Sequence, residues 1–367
     1  MNNKAPVVVV GGGTAGSIVA RVLASTTGLP LVVIEPGGLT DDDNPRFMDG
    51  LQGDAVTDVG GMPQARALGG GSAVNGMVLS GREPRWLEGL TSVPAPAEVG
   101  PVGRKLIAAG GRVSRLWWNN GRWNPARALM HVEEEGRLRI IRTTARRIVA
   151  EDGTAVAVEC GSGTIDASHV VLCAGAVSTP RLLLASGITG GVGEGLQNHP
   201  TVSFTFALDA PTGGMFDSAA VLDIVDDGAI GLMVAFERES TAQPGRGLVT
   251  VSLMNPESRG TVTTDLVDFA FLSTDRDRAA MGRLLVRARR VIGDMGVESV
   301  EESGVHPVSH PTSSCSRAVN ANGRLTGWSN ITVADASVLP GVPHETPAAS
   351  VTIEALRIAR VLGEELS

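Results

Sequence analysis

The chain has 367 residues, a formal net charge of −8 and 47 glycines, about 13% of the total against a usual ~7%. Hydrophobic residues make up 43%, which excludes wholesale disorder, and the glycines keep no three-residue period, which excludes a collagen. The acidic balance argues against a nucleic-acid partner, whose phosphates need clustered Lys and Arg. Along the chain, the β-branched run Val7–Val10 predicts a buried strand. Gly11-Gly12-Gly13-Thr14-Ala15-Gly16 follows, a G-x-G-x-x-G, and then a helical pattern over Ser17–Ala24. A second strand, Leu31–Ile34, ends in Glu35. This β-α-β context is what dinucleotide binding requires. Gly11 permits the tight turn, Gly13 lets backbone approach a pyrophosphate, and Gly16 lets the helix pack on the strand. The helix start offers free N–H groups to phosphate. Glu35 is placed to accept hydrogen bonds from ribose hydroxyls, and an acid there disfavours NADP. The motif alone does not separate NAD from FAD.

Further along, Arg66 to Val78 includes Leu68-Gly69-Gly70-Gly71-Ser72-Ala73-Val74-Asn75-Gly76-Met77. Small residues let backbone lie flat against a planar ligand, although a flexible surface loop has the same composition. Val170 to Ile188 is a strand, then Gly175-Ala176-Val177-Ser178-Thr179-Pro180, then a helix. Thr179 reads as N-cap, Pro180 as the first helical residue and Gly187 as the stop signal. Gly195-Leu196-Gln197-Asn198-His199-Pro200 comes next. Near the end stand Leu325-Thr326-Gly327 and Ile331 to Pro340, containing Asp335-Ala336-Ser337. Val351 to Leu366 reads as an amphipathic helix.

Taken in order, these runs resemble the signatures of the glucose-methanol-choline (GMC) oxidoreductases. In length the chain is similar to a short branch of that family associated with the redox peptide mycofactocin. The resemblance implies FAD as cofactor. It implies an α/β fold: a Rossmann-like FAD-binding domain with a smaller α+β substrate domain built on an antiparallel sheet. It also implies that Gly11–Gly16 and Glu35 hold the ADP half. Arg146 would offer its backbone to adenine. Gly71, Asn75, Gly76, Met77, Val78, Ala174, Asp335, Ala336, Pro347 and Ala348 would lie around the rest of the cofactor, mostly its flavin half.

Alcohol oxidation needs a base, and histidine titrates in the right range. The family uses a His-Pro-x-Gly-Thr-Cys run. Here His306-Pro307-Val308-Ser309-His310-Pro311-Thr312-Ser313-Ser314-Cys315 allows two alignments. His310 is preferred because Ser314 and Cys315 then fill the Thr-Cys places, with Ser313 at the glycine; His306 is the fallback. The family's second catalytic position, Asn or His, falls on Thr346, which cannot act as a base near neutral pH. His344, two residues earlier, fills the role if the loop shifts. His131, His169 and His199 receive no chemistry. Trp117, Trp118 and Trp123 read as a satellite hydrophobic cluster.

Residues 201–208, 218–225, 231–237 and 248–254 predict an antiparallel sheet, and Asp275–Met295 a helix. Asn255 to Val262 resembles a run at the edge of the family's substrate domain. The expected division is 1–85, 125–200 and 305–367 for the FAD-binding domain, 86–124 for a shortened lid or connector, and 201–304 for the substrate domain. The shortening predicts an open flavin face suited to a bulky or protein-presented donor. The expected reaction is proton abstraction from an alcohol with hydride transfer to flavin N5. A flavin-containing lyase and an FAD-bound electron carrier are the competing readings. The donor is expected to be a small-molecule or peptide-derived alcohol; the sequence names no electron acceptor. Cys160, Cys173 and Cys315 are too scattered for a disulfide framework or metal site. They fit a cytoplasmic protein, with peripheral membrane association left open. No apolar stretch reaches the ~18–20 residues of a transmembrane segment.

Overall fold

Val7–Val10 forms the central strand of a five-stranded parallel sheet in a computed structural model that describes residues 5–51, 53–81, 88–208, 213–237 and 245–367. The strand order is Ile331–Val333, His169–Leu172, Val7–Val10, Leu31–Ile34, Arg139–Ile141. All four pairings are parallel and in regular register, Val9 facing both Val171 and Val33. Strands covered on both faces are uniformly apolar, and Val7–Val9 are fully buried. The first helix, Thr14–Thr26, begins three residues earlier than its apolar pattern and packs on the last helix, Ala348–Leu366. Leu23, Ile358 and Leu362 share the core built on the parallel sheet.

The strand His169–Leu172 enters from an antiparallel meander of Ala145–Glu151, Thr154–Cys160 and Gly163–Asp166. It leaves into the helix Gly175–Ala185, which starts before Thr179 and carries Pro180 inside it. This corrects the expectation of a helix starting at Pro180. A proline inside a helix leaves the carbonyl four residues earlier without its amide. Here that carbonyl, Ala176, accepts from Ser314 Oγ at 2.6 Å. Thr179 caps nothing as an N-cap; it accepts from Ala174 N at 3.1 Å and donates to Asp335 Oδ2 at 2.6 Å. Gly187 does follow the helix end, with φ +79.

The second sheet is antiparallel, with Thr201–Ala207, Arg246–Leu253, Ala229–Phe236 and Ala220–Asp226 adjacent in that order. Glu301–Glu302 extends one edge and Arg112–Val113 the other, so the segment 86–124, expected as a connector, contributes a strand to this second sheet. Residues 86 and 87 of that segment lie outside the described residues. The helix Asp275–Asp294 covers this sheet through Met281, Leu284 and Ala288. Thr274 Oγ1 caps the helix. Asp277 in its first turn accepts from Glu257 N and Ser258 N, which ties down the preceding turn. A third core joins the halves: Met77, Trp117, Trp118, Phe216, Met254 and Ala349. Trp117 and Trp118 are thus buried in this cluster, with the half-buried Trp123 packed against it. Among the described residues no helix is long and apolar enough to cross a membrane.

Candidate active site

Ligands of open parallel sheets bind beyond the carboxyl ends of the strands, where strand order reverses. Here those ends carry Gly11, Glu35, Cys173 and Ala334. Gly11 has φ +100, and a Cβ there would stand 2.5 Å from the Cys173 carbonyl oxygen. A Cβ on Gly16 would stand 1.8 Å from the Gly11 carbonyl oxygen, so only glycine lets the first helix seat its start against the turn. That helix opens on Gly13 with no side-chain cap and no acid in its first turn. The amides of Thr14, Ala15 and Gly16 therefore present an uncapped, positively polarised end. Thr14 Oγ1 donates to Gly69 O at 2.9 Å and meets Ser72 Oγ at 2.7 Å, binding the second glycine-rich loop to the first.

Bare backbone faces free space in the same region. A Cβ on Gly71 or Gly175 would meet nothing within 4 Å, and one on Gly13 nothing closer than 3.6 Å. Glu35 is buried; Oε2 accepts from Gly12 N at 2.9 Å and Oε1 from Gly37 N at 2.8 Å. Burial raises its pKa, while those two amides and the Arg142 and Arg66 charges pull it down. A cavity of about 280 Å³ opens beside it, walled by Pro36–Leu39, Asp54–Ala55 and Arg66. Arg146 is exposed and falls in a register shift of the meander, Arg147 pairing Glu159 and Ala145 pairing Cys160, so it has no opposite residue. Uncapped amides, open glycine backbone and a buried acid together fit a dinucleotide cofactor.

The run Asn75–Val78 is held carbonyl by carbonyl. Arg122 Nη1 donates to the Asn75 carbonyl at 2.6 Å and to its Oδ1 at 2.9 Å. Ser218 Oγ donates to the Gly76 carbonyl, Trp117 N to that of Met77 at 2.8 Å, and Thr346 Oγ1 to that of Val78 at 2.8 Å. Arg122 is buried, which lowers its pKa to about 10, with Asp42 and Asp217 opposing. Nothing in the sequence singled it out. Ala174 caps the helix start at Gly175, whose amide donates to Asp335 Oδ2 at 2.8 Å. The buried Asp335 also accepts from Ser337 N at 2.8 Å, and Ala336 O accepts from Ser313 N at 3.0 Å. Pro347 and Ala348 open the last helix without a side-chain cap.

His310 is partly buried, and burial pushes its pKa down to about 4. Its Nδ1 lies 3.0 Å from Nδ1 of His199. Among the described residues no group bonds its Nε2. His199 is fully buried and was passed over in the sequence; a His-Pro turn looks the same whether or not its ring meets another. His306 stands elsewhere, with Nε2 on Ser203 Oγ at 2.7 Å and Nδ1 near the Pro307 carbonyl. His169 bonds Thr332 Oγ1 at 3.0 Å and is held neutral by burial, with a pKa of about 3. Thr346 spends its hydroxyl proton on Val78 and also accepts from Ser80 N at 3.3 Å. His344 is exposed.

Known proteins share this fold. Family models for GMC oxidoreductase match residues 109–201 and 256–355, together just over half of the chain. A GMC-type oxidoreductase of Sinorhizobium fredii is 24% identical over an alignment of 477 positions, covering 97% of this chain and 94% of the relative. More than a hundred positions of that alignment therefore have no residue here. The oxygen-dependent choline dehydrogenase of Brucella anthropi is 22% identical, covering 93% and 92%. Pyridoxine 4-oxidase from Mesorbium loti superposes with a TM-score of 0.80 at 22% identity over 99% of both chains. Formate oxidase of Aspergillus oryzae does so with 0.80 at 17%, covering 100% and 99%. The chain belongs to the GMC oxidoreductase family, and its cofactor is FAD.

Proposed function

We propose that the protein oxidises an alcohol, with His310 as the base for the hydroxyl proton. The observation that carries this reading is His310 itself. Its ring is neutral through the physiological range and its Nε2 has no partner among the described residues, as a proton acceptor needs. Gly11, Gly13, Thr14, Ala15, Gly16 and Glu35 would hold the ADP half of the cofactor, with the Arg146 backbone at adenine. Gly71, Asn75–Val78, Ala174, Asp335–Ala336 and Pro347–Ala348 would hold the remainder. Bound FAD supplies the acceptor for the hydride of the carbinol carbon. The protein's part is to place the hydroxyl and remove its proton.

The second polar group of the site is assigned to His344. Thr346 has its hydroxyl committed to the Val78 carbonyl and fixes the loop instead. His344, two residues away and exposed, is free to orient the substrate oxygen. The donor class is a small-molecule or peptide-derived alcohol. Anaerobic mixing of the FAD-loaded protein with primary and secondary alcohols tests this. Bleaching of the flavin bands is the expected outcome. Cyanohydrin cleavage without bleaching would replace the reading with a lyase.

A further inference from the structure

His199 stands behind His310 and determines which of its nitrogens is bare. Nε2 of His199 lies 2.9 Å from the Pro343 carbonyl oxygen, and Nδ1 lies 3.0 Å from Nδ1 of His310. The two rings are nearly perpendicular, at 87°. A carbonyl oxygen only accepts, so the hydrogen of that contact is on His199 Nε2. Burial is the main force driving the His199 pKa well below 6.5; the neighbouring His310 and His344 add to it, and the carbonyls of Pro343 and Met254 oppose it. The ring is then neutral with a lone pair on Nδ1. Two facing Nδ1 atoms share one hydrogen, and His310 is the ring that can supply it. His310, neutral as well, keeps its single hydrogen on Nδ1 and leaves Nε2 bare.

We propose that His199 is a positioning residue that fixes His310 as the Nδ1–H tautomer, so that Nε2 receives the substrate's hydroxyl proton. This rests on the alcohol-oxidation reading of His310. The chain of contacts starts from a rigid reference. Pro343 follows Val342, whose amide donates to Gln197 Oε1 at 3.0 Å, and precedes Thr346, which is tied to Val78. One loop thus anchors His199, carries His344 and leads into the last helix. In the step itself the substrate O–H bond breaks and an Nε2–H bond forms on His310, and FAD, when bound, would take up the hydride that leaves the carbinol carbon. His310 becomes an imidazolium whose Nδ1–H stays shared with the His199 lone pair. A third group that holds a catalytic imidazole in one tautomer is a recurring device of base catalysis.

Ring ¹⁵N spectra of the FAD-loaded, histidine-labelled protein read the tautomers without substrate, with His199→Asn and His310→Asn assigning the signals. The expected pattern is hydrogen on Nδ1 of His310 and on Nε2 of His199. A doubly protonated His199, or a His310 with hydrogen on Nε2, would overturn the proposal. Kinetics give a second arm. His199→Asn keeps an acceptor oxygen near the lost Nδ1 and should hold kcat within about tenfold. His199→Phe removes the acceptor and should lower kcat by about a hundredfold or more, with flavin absorbance unchanged and the His310 tautomer mixed. Equal kcat in the two variants would count against the proposal. Should His199→Phe fail to fold, the wild-type spectrum still decides. Should the tautomers be as stated while no alcohol reduces the flavin, the functional reading fails and the tautomer assignment stands.

Discussion

The cofactor side and the donor side of this protein are built from different materials. Around Gly11, Gly16 and Glu35 the geometry comes from backbone: absent Cβ atoms, uncapped amides and an acid gripped by two N–H groups. Around His310 it comes from side chains that meet from separate segments, the His310 ring against that of His199. Backbone geometry tolerates few sequences, so it leaves a readable trace and resists substitution. Side-chain geometry admits several solutions, and there the chain departs from the runs it resembles, with Ser313 and Thr346 at the places those runs give to glycine and to Asn or His.

Gly16→Ala is the harshest test of the first half of that contrast. The new methyl would stand 1.8 Å from the Gly11 carbonyl oxygen and 3.1 Å from Cys173 Cβ, both in fixed structure. The expected cost is about 3 kcal/mol or more, together with loss of FAD from the purified protein. Urea unfolding and the flavin absorbance ratio measure the two. A variant that kept wild-type flavin content would show the turn to be adaptable, and the contrast would collapse.

On the donor side, His310→Ala should lower kcat/KM by about 10²–10⁴ with little change in stability. Thr346→Val should do the reverse. It removes the bond to the Val78 carbonyl, costing about 1–2 kcal/mol, and should leave turnover within about tenfold. Equal losses of activity in the two would return Thr346 to the chemistry. Stopped-flow flavin reduction and urea midpoints on both variants separate these cases.

What the sequence reveals divides along the same line. The four central strand positions, the glycine turn and the 201–254 sheet were legible because each follows from a local rule: an unbroken apolar run, a fixed glycine spacing, a two-residue alternation. The start of the helix at Gly175 was misplaced because its decisive partner, Ser314, lies 138 residues from Ala176. Arg122 and His199 escaped for a similar reason. Their roles depend on Asn75, 47 residues away, and on His310, 111 residues away, and no local pattern marks such a meeting.

Two buried titrating groups have opposite effects on pH stability. Glu237, at the start of the helix Pro101–Ala108, has its pKa raised to about 7, chiefly by burial, against the amides of Val102 and Gly103. The folded state then binds more protons than the unfolded between pH 4.5 and about 7, so stability falls as pH rises across that window. His310, at about 4 against 6.5 unfolded, works the other way: stability rises from about pH 4 to 6.5. Glu237→Gln should remove this opposition to the histidine trend. The Glu237 contribution, up to about 3 kcal/mol lost towards pH 7, should vanish, and the rise below pH 6.5 that it offsets in the wild type should steepen. Urea midpoints between pH 4 and 8 show it; an unchanged profile would mean that Glu237 is ionised throughout.

Two adjacent serines offer the finest test, because they are expected to move stability in opposite directions. Ser314→Ala strips the hydroxyl that satisfies the Ala176 carbonyl left bare by Pro180, a loss of about 1–2 kcal/mol. Ser313 is buried at φ +73, at the place the run it resembles gives to glycine, and among the described residues its hydroxyl reaches only its neighbour Thr312 Oγ1 at 3.0 Å. An L-residue there costs roughly 1–2 kcal/mol, and glycine gives back roughly 0.5–1 through the unfolded chain. Ser313→Gly should therefore stabilise by less than about 1 kcal/mol, a small rise in the thermal midpoint. A loss instead would mean that the side-chain contact outweighs the backbone strain. The boundary between the two ways of building would then lie closer to the cofactor than Ser313.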